Sequence, residues 1–337
     1  MTPDHGPSVG PVLVMGAGLV GSYLGGRLQA AGARVDFVGR PSVLDELAAH
    51  GLVLTDLAGG RHELPAPALH LHPALPAGAR PSLVLLCVKR PALIDTLAEL
   101  AHALPAGTPV LCCQNGLFPA AEARAAAPGL MLLPAMVPFN VMRRGPGHFH
   151  QGTAGALAAQ DAPALRPWPA VFRQAGLPLS LRADLRPVQW GKLLLNLNNP
   201  VNALSGLPLR AQLLDARHRR RFASLVAEAL SVLRQAGVEP QRMTPLAWDR
   251  FVQVLRLPTP LFRLLASRML RIDSHARSSM AEDLAAGRPT EIDYLCGEVV
   301  RLAREQGRRA PLNARIADDI RQVQAAPAAF SRPPAVR

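Results

Sequence analysis

Lysine is nearly absent from this chain. Of its 37 basic residues, 35 are arginine; the two lysines are Lys89 and Lys192. Aromatic residues make up only 4%. The four cysteines (Cys87, Cys112, Cys113 and Cys296) follow neither a metal-ligand nor a disulfide-framework spacing. That excludes a disulfide scaffold or a cysteine-rich metal module and fits a reducing, cytoplasmic setting. No metal ligand set is expected. No apolar run approaches the ~18 residues of a membrane span, so no membrane partner is expected. The first residues carry no basic n-region, and the first apolar stretch is broken by glycines, so no signal peptide is expected. With 49% apolar and 18% charged residues, the chain is neither disordered nor coiled coil.

The charge needs closer reading. A net +13 ordinarily suggests nucleic acid or an anionic surface. Here the arginines are scattered, with short clusters at Arg143–Arg144 and Arg217–Arg221, and few aromatics interleave with them. An arginine excess spread through an Ala-, Pro- and Leu-rich chain reads as compositional background, so no nucleic-acid partner is expected. Against that background the two lysines stand out.

The 337 residues suit two domains. Val12-Leu13-Val14-Met15 reads as a buried strand. It runs into Gly16-Ala17-Gly18-Leu19-Val20-Gly21, then a helical stretch to Ala31, then a strand over residues 34–38. This places G-x-G-x-x-G between a strand and a helix, the setting of dinucleotide binding. The glycines let backbone approach a pyrophosphate, and the helix N-terminus offers N–H groups and a positive dipole. The strand after the helix ends at Gly39-Arg40. Asp36 lies mid-strand, too early to reach a ribose, whereas Arg40 suits a 2′-phosphate, which argues for NADPH/NADP. Further strands over 82–88 and 109–113 end in Lys89 and in Gln114-Asn115-Gly116. The alternation of strands and helices predicts an α/β, doubly wound sheet. Gly16, Arg40, Lys89 and Asn115 then all fall at strand C-termini, where such folds bind ligands. Strand-like sequence follows over 131–160, and a Pro-rich stretch over 161–169 reads as a loop. After Pro187 the periodicity is helical. The expected organisation is a loose tail over 1–10, a Rossmann-type NADP-binding domain over 11–185, an all-α domain over 186–326 carrying substrate and catalytic residues, and a disordered tail over 327–337.

The segment 190–204 is the most informative. Trp190, Leu193, Leu194, Leu197, Val201 and Leu204 share one helical face. Lys192, Asn196 and Asn199 share the other. Four of the chain's seven asparagines lie between 196 and 202, although asparagine is a poor helix former. Pro200 cannot donate to the carbonyl of Asn196, so the helix should kink or end there. A polar stripe this costly suggests a ligand-facing surface. A second polar cluster spans Ser278–Tyr294. Ser279 with Glu282, and Thr290 with Asp293, form capping-box patterns. Spacing alone reads Ser279 as an N-cap and Glu291 as a first-turn acid favoured by the helix dipole.

Together these residues resemble the ketopantoate reductase (2-dehydropantoate 2-reductase) family. The resemblance spans the glycine fingerprint, Arg40, Val88-Lys89, Gln114-Asn115-Gly116, the Lys192/Asn196 helix, and Ser279 through Thr290-Glu291-Ile292-Asp293-Tyr294. It implies a Rossmann domain followed by a helical domain, a 2-oxo acid as the small-molecule substrate and, as the reaction, NADPH-dependent reduction of 2-dehydropantoate to pantoate in pantothenate synthesis. It implies Lys192 as general acid with Glu291 beside it, and Gly16, Ala17, Gly18, Leu19, Val20, Gly21, Arg40, Lys89 and Asn115 around the cofactor. Asn115, Asn196, Asn199 and Ser279 would hold the substrate, Ser279 through its carboxylate. A homodimer is compatible with it. Two departures stand near the substrate. Asn199 follows Asn196 by three residues where the family usually has four, and Leu209 replaces an asparagine the family often carries. They leave open a reductase of a different 2-oxo acid; a non-catalytic NADPH-binding regulator is the other alternative.

Overall fold

The computed structural model describes residues 9–267, 270 and 276–325. Nearly all of the 1–10 tail, and the whole 327–337 tail, lie outside the described residues. The chain divides into two compact units that meet at Leu185 and Arg186.

The first unit is built on an eight-stranded sheet. Its strands in chain order are β1 (Val12–Met15), β2 (Val35–Val38), β5 (His70–His72), β6 (Leu83–Leu86), β7 (Pro109–Cys112), β8 (Met131–Met136), β11 (Leu157–Gln160) and β12 (Leu179–Arg182). Their spatial order is β12-β11-β8-β7-β6-β1-β2-β5. All neighbouring pairs are parallel except β11 with β8. The short apolar strands are buried on both faces, which is why they read as continuous runs. Val12, Val14, Val35, Phe37, Leu83, Leu85 and Leu111 face one core. That core includes Tyr23, Leu24 and Leu28 of α1 (Leu19–Ala30) and Phe172 of α5 (Trp168–Gln174). Leu13, Met15, Val84, Leu86, Val110 and Cys112 face the other, with Leu93, Leu97 and Leu100 of α3 (Leu93–Ala103) and Ala123 of α4 (Ala120–Ala126). Helices on both faces make the sheet doubly wound, as the pattern predicts. The strand order reverses between β1 and β6, the switch point where such sheets bind ligands.

A second sheet, of order β4-β3-β10-β9, packs beside α1. It comprises β3 (Leu52–Thr55), β4 (Arg61–Leu64), β9 (Val141–Gly145) and β10 (His148–Gln151), and α2 (Pro41–His50) leads into it. Arg27 ties it to the helix. Its guanidinium bonds the Asp56 carboxylate (2.9 Å) and the Ala175 carbonyl (2.9 Å), a largely buried pair. The Pro-rich stretch over 161–169, expected as a loop, instead holds a 3₁₀ turn at Pro163–Leu165 and the start of α5. Proline at N1 or N2 needs no N–H partner, so it opens these turns rather than breaking them.

The second unit is all α among its described residues. It contains α6 (Arg186–Asn196), α7 (Asn198–Ser205), α8 (Leu209–Leu214), α9 (Ala216–Gln235), α10 (Trp248–Arg256), α11 (Thr259–Leu265), α12 (Ser279–Ala285), α13 (Cys296–Glu305) and α14 (Pro311–Ala325). At its centre Arg219 is fully buried. It donates to the carbonyls of Leu213, Leu255 and Leu257 and lies over the Phe262 ring at 4.3 Å. It satisfies helix C-terminal carbonyls that would otherwise be buried without donors. In the same cluster Arg217 pairs with Asp215 and Arg221 with Asp319. No helix among the described residues is long and apolar enough to cross a membrane.

Candidate active site

In the first unit the glycine loop is held mainly by backbone bonds. The N–H groups of Gly16 and Ala17 both donate to the Val38 carbonyl at 2.9 Å, which ties the loop to the end of β2. The Gly18 N–H turns back to the Gly16 carbonyl, and the Ser22 hydroxyl caps the Ala17 carbonyl at 3.0 Å. The three glycines do different work. Gly16 has φ +103°, and a Cβ there would stand 2.6 Å from the Val88 nitrogen of the β6 exit. A Cβ on Gly21 would stand 2.1 Å from the Gly16 carbonyl oxygen, so α1 could not start so close to the sheet. A Cβ on Gly18 would meet no protein atom within 4 Å. Nothing among the described residues requires Gly18 to be glycine, and its open side leaves room for a ligand group against the backbone. No acidic residue lies in the first turn of α1, so its N–H groups and dipole are not answered by a side chain there. The loop fits a dinucleotide pyrophosphate.

The neighbouring strand ends are cross-tied. Gln114 donates to the carbonyls of Leu86 (2.8 Å) and Val88 (3.1 Å). Cys113 N–H reaches Leu86 and Cys87 N–H reaches Met15. These bonds fix the strand ends that carry Lys89 and Asn115. Lys89 is exposed and Asn115 partly buried. Arg40 is exposed at the N-cap of α2, directly after Gly39. Asp36 sits mid-strand with its carboxylate 3.1 Å from His72 Nε2. Gln114 was not singled out from the sequence as a positioning residue. Its place between a strand end and Asn115 was the available signal.

In the second unit the helix breaks as the proline demands. α6 ends at Asn196, and Pro200 lies in the first turn of α7, where no N–H is needed. Gly191 lets the 241–243 segment lie against α6; a Cβ there would be 2.3 Å from the Gln241 carbonyl. The asparagines then separate into two groups. Asn198 is buried and exchanges two hydrogen bonds with Gln212, at 3.1 and 3.2 Å. Asn202 is fully buried; it accepts from Ser278 N–H and donates to the Leu207 carbonyl, both at 2.9 Å. Asn196, one turn after Lys192 on α6, and Asn199, in the first turn of α7, remain partly exposed.

Two capping expectations are corrected. The N-cap of α12 is Ser278, not Ser279: its hydroxyl accepts from Ala281 N–H at 3.2 Å. Ser278 Oγ also lies 3.2 Å from the Asn199 carbonyl, to which it can donate. Ser279 is the first helical residue and is exposed. With adjacent serines the Asn202 bond decides which one turns inward. Thr290 does not cap a helix with Asp293 either. Its hydroxyl is buried without a partner among the described residues, Asp293 pairs with Arg321, and a 3₁₀ turn over Ile292–Tyr294 precedes α13.

Lys192 is partly buried on α6. Burial pulls its ammonium down from the ordinary lysine range to about 8, while the charge of nearby Glu291 pulls it back up. A carboxylate from the turn before α13 therefore acts on a lysine in α6. Among the described residues no group of three or more His, Cys, Asp or Glu is placed to hold a metal ion.

A doubly wound sheet with a dinucleotide fingerprint, joined to a helical unit carrying a depressed lysine, defines a Rossmann-type oxidoreductase. Residues 12–164 match the family model for ketopantoate reductase PanE/ApbA, and residues 184–324 match the model for its C-terminal part. The chain belongs to the ketopantoate reductase family. A 2-dehydropantoate 2-reductase of Halobacterium salinarum is 28% identical over 323 residues, covering 93% of this chain and 98% of the relative. A PanE/ApbA-family ketopantoate reductase structure from Ralstonia eutropha JMP134 superposes with TM-score 0.77 at 28% identity, covering 93% and 98% of the two chains. A D-mandelate dehydrogenase, solved with NADH and anilino(oxo)acetate, shares the fold at TM-score 0.75 and 18% identity, with the same coverage.

Proposed function

We propose that this protein reduces a 2-oxo acid with NADPH, and that the substrate is 2-dehydropantoate, yielding pantoate. The observation that carries the reading is Lys192, one of two lysines in the chain, depressed to about 8 by burial. The nicotinamide cofactor supplies the hydride when bound. Gly16, Gly18 and Gly21 admit its pyrophosphate, with Ala17, Leu19 and Val20 giving backbone around it. Arg40 answers the 2′-phosphate, since Asp36 is engaged by His72. Lys89 and Asn115 border the cofactor, and Asn115 also the substrate.

Hydride addition to a ketone leaves an alkoxide that must be stabilised and protonated. The Lys192 Nζ ammonium does both: it donates a hydrogen bond to the ketone oxygen and then its proton to the alkoxide. A proton donor works best with a pKa near the working pH, and burial brings Lys192 there. Glu291 keeps the ammonium charged and oriented. Arginine could not replace it, because it does not release its proton at useful pH. Asn196 and Asn199 hold the substrate's polar groups, and Ser279, turned outward at the start of α12, holds its carboxylate. The direct test follows the loss of reduced-cofactor absorbance with 2-dehydropantoate and a panel of other 2-oxo acids, using NADPH and NADH in parallel. Turnover of 2-dehydropantoate with a preference for NADPH is expected. No turnover of it, with turnover of another acid, overturns the substrate. Cofactor binding without turnover of any acid overturns the reaction.

A second substrate is favoured by one feature: Leu209 opens α8 with its N–H on the Ala276 carbonyl, where the family often has asparagine. A less polar acyl chain on the 2-oxo acid would suit that change.

A further inference from the structure

Among the described residues, Glu291 is the one whose charge acts on Lys192 with a resolved effect. The residues flanking Glu291 are tied to the last described helix. Gln324, near the C-terminal end of α14, accepts the Thr290 backbone N–H through Oε1 at 2.9 Å. One helical turn earlier, Arg321 pairs through Nη2 and Nε with the Asp293 carboxylate. Arg321 is held in turn by Asp318 on the same helix. Glu291 therefore lies between two anchor points, one residue after the first and two before the second. Thr290 is buried and its hydroxyl has no partner among the described residues; its backbone N–H is a tie that reaches α14. Glu298 of α13 pairs with Arg301, and Arg288 pairs with Asp283 of α12.

We infer that Gln324 and Arg321 are positioning residues: α14 clamps the 290–293 turn from both sides and thereby sets how closely the Glu291 carboxylate approaches the Lys192 ammonium. The inference deepens the proposed role of Lys192 and rests on it for its bearing on catalysis. Its physical content stands without turnover. A carboxylate that moves away from a partly buried ammonium stops favouring the charged form. Loosening the clamp must lower the pH at which Lys192 gives up its proton.

The composition makes this directly measurable. With two lysines in the chain, ¹⁵N-lysine labelling gives two side-chain ammonium titrations, and Lys192→Arg assigns them. Gln324→Leu removes the acceptor, and Arg321→Gln loosens the second anchor should the first variant fold poorly. Each is expected to lower the Lys192 midpoint by roughly half a pH unit, with Lys89 unchanged. Gln324→Glu keeps an acceptor and should restore the midpoint. In a Glu291→Gln background neither variant should move it further, because the group they position is gone. An unmoved midpoint in both single variants overturns the clamp. So does a shift of the same size without Glu291, which would report general loosening. A Lys192→Ala variant with full turnover would sink the catalytic reading while leaving the clamp standing.

Discussion

The candidate functional regions of the two units are made in opposite ways. The glycine loop of the first unit works by omission. Its bonds run from backbone to backbone, with the Ser22 hydroxyl the one side chain among those described above. The α6–α7 region of the second unit works by addition: buried asparagines, a partly buried lysine and a nearby carboxylate, all poor choices for a helix or a core. The loop can be rigid before anything binds, because Val38, Gly16 and Ser22 satisfy it internally. The helical half must spend packing energy to hold polar groups in place, and Asn198–Gln212 and Asn202–Ser278 show where. A backbone site tolerates no added atom, whereas a side-chain site tolerates no lost one.

The largest effect should come from adding an atom to the loop. Gly21→Ala places a methyl 2.1 Å from the Gly16 carbonyl, a clash that should cost about 3 kcal/mol and abolish cofactor binding. Gly18→Ala places one in open space. It should leave the melting temperature unchanged and weaken NADPH binding by roughly tenfold or more. Thermal melting and cofactor titration of the pair separate the two outcomes. Equal melting losses would erase the distinction between fold glycine and ligand glycine.

The matching experiment removes atoms from the helical half. Asn202→Ala leaves Ser278 N–H and the Leu207 carbonyl without their buried partner and should destabilise by roughly 1–3 kcal/mol. Asn196→Ala should change stability by less than about 0.5 kcal/mol and instead raise KM for the 2-oxo acid. Denaturant unfolding beside steady-state kinetics tests both. A large stability loss at Asn196 would make it scaffold.

The same contrast governs what could be seen in the sequence. Strands β1, β6 and β7 and the glycine loop were legible because local apolar runs and glycine spacing dictate them. In the four-stranded sheet β9 and β10 fall in the strand-like stretch 131–160, but β3 and β4 were not legible. Arg61-His62-Glu63-Leu64 has no apolar run, and β4 forms only because Leu52–Thr55 pairs with it. In the helical unit the polar stripe was visible as an anomaly, but its division was not. Whether Asn198 or Asn199 turns inward depends on Gln212, 14 residues on, and Asn202 depends on Ser278, 76 residues on. The same distant bond made the serine pair unreadable. Lys192 was legible for a different reason: it is one of two lysines in an arginine-rich chain.

A smaller effect concerns pH. If Lys192 is the proton donor, the active form carries the proton, and turnover per KM should be flat at neutral pH and fall about tenfold per unit above about 8. Glu291 raises that value, so Glu291→Gln should move the falling limb to lower pH. The folded-state value lies below the ordinary lysine value, so the unfolded chain binds the proton more tightly. Stability should therefore rise with pH between about 8 and 10.5. Lys192→Met should melt higher than the parent while losing turnover.

The most direct measurement is turnover of Lys192→Arg with NADPH and 2-dehydropantoate. Arginine keeps the positive charge and hydrogen bonding and withholds only the proton. If Lys192 is the proton donor, kcat falls by roughly 10²–10⁴-fold while NADPH binding stays at the parent value. If Lys192→Arg turns over within a few-fold of the parent, the lysine is a charge and not an acid, and the account of this site is wrong.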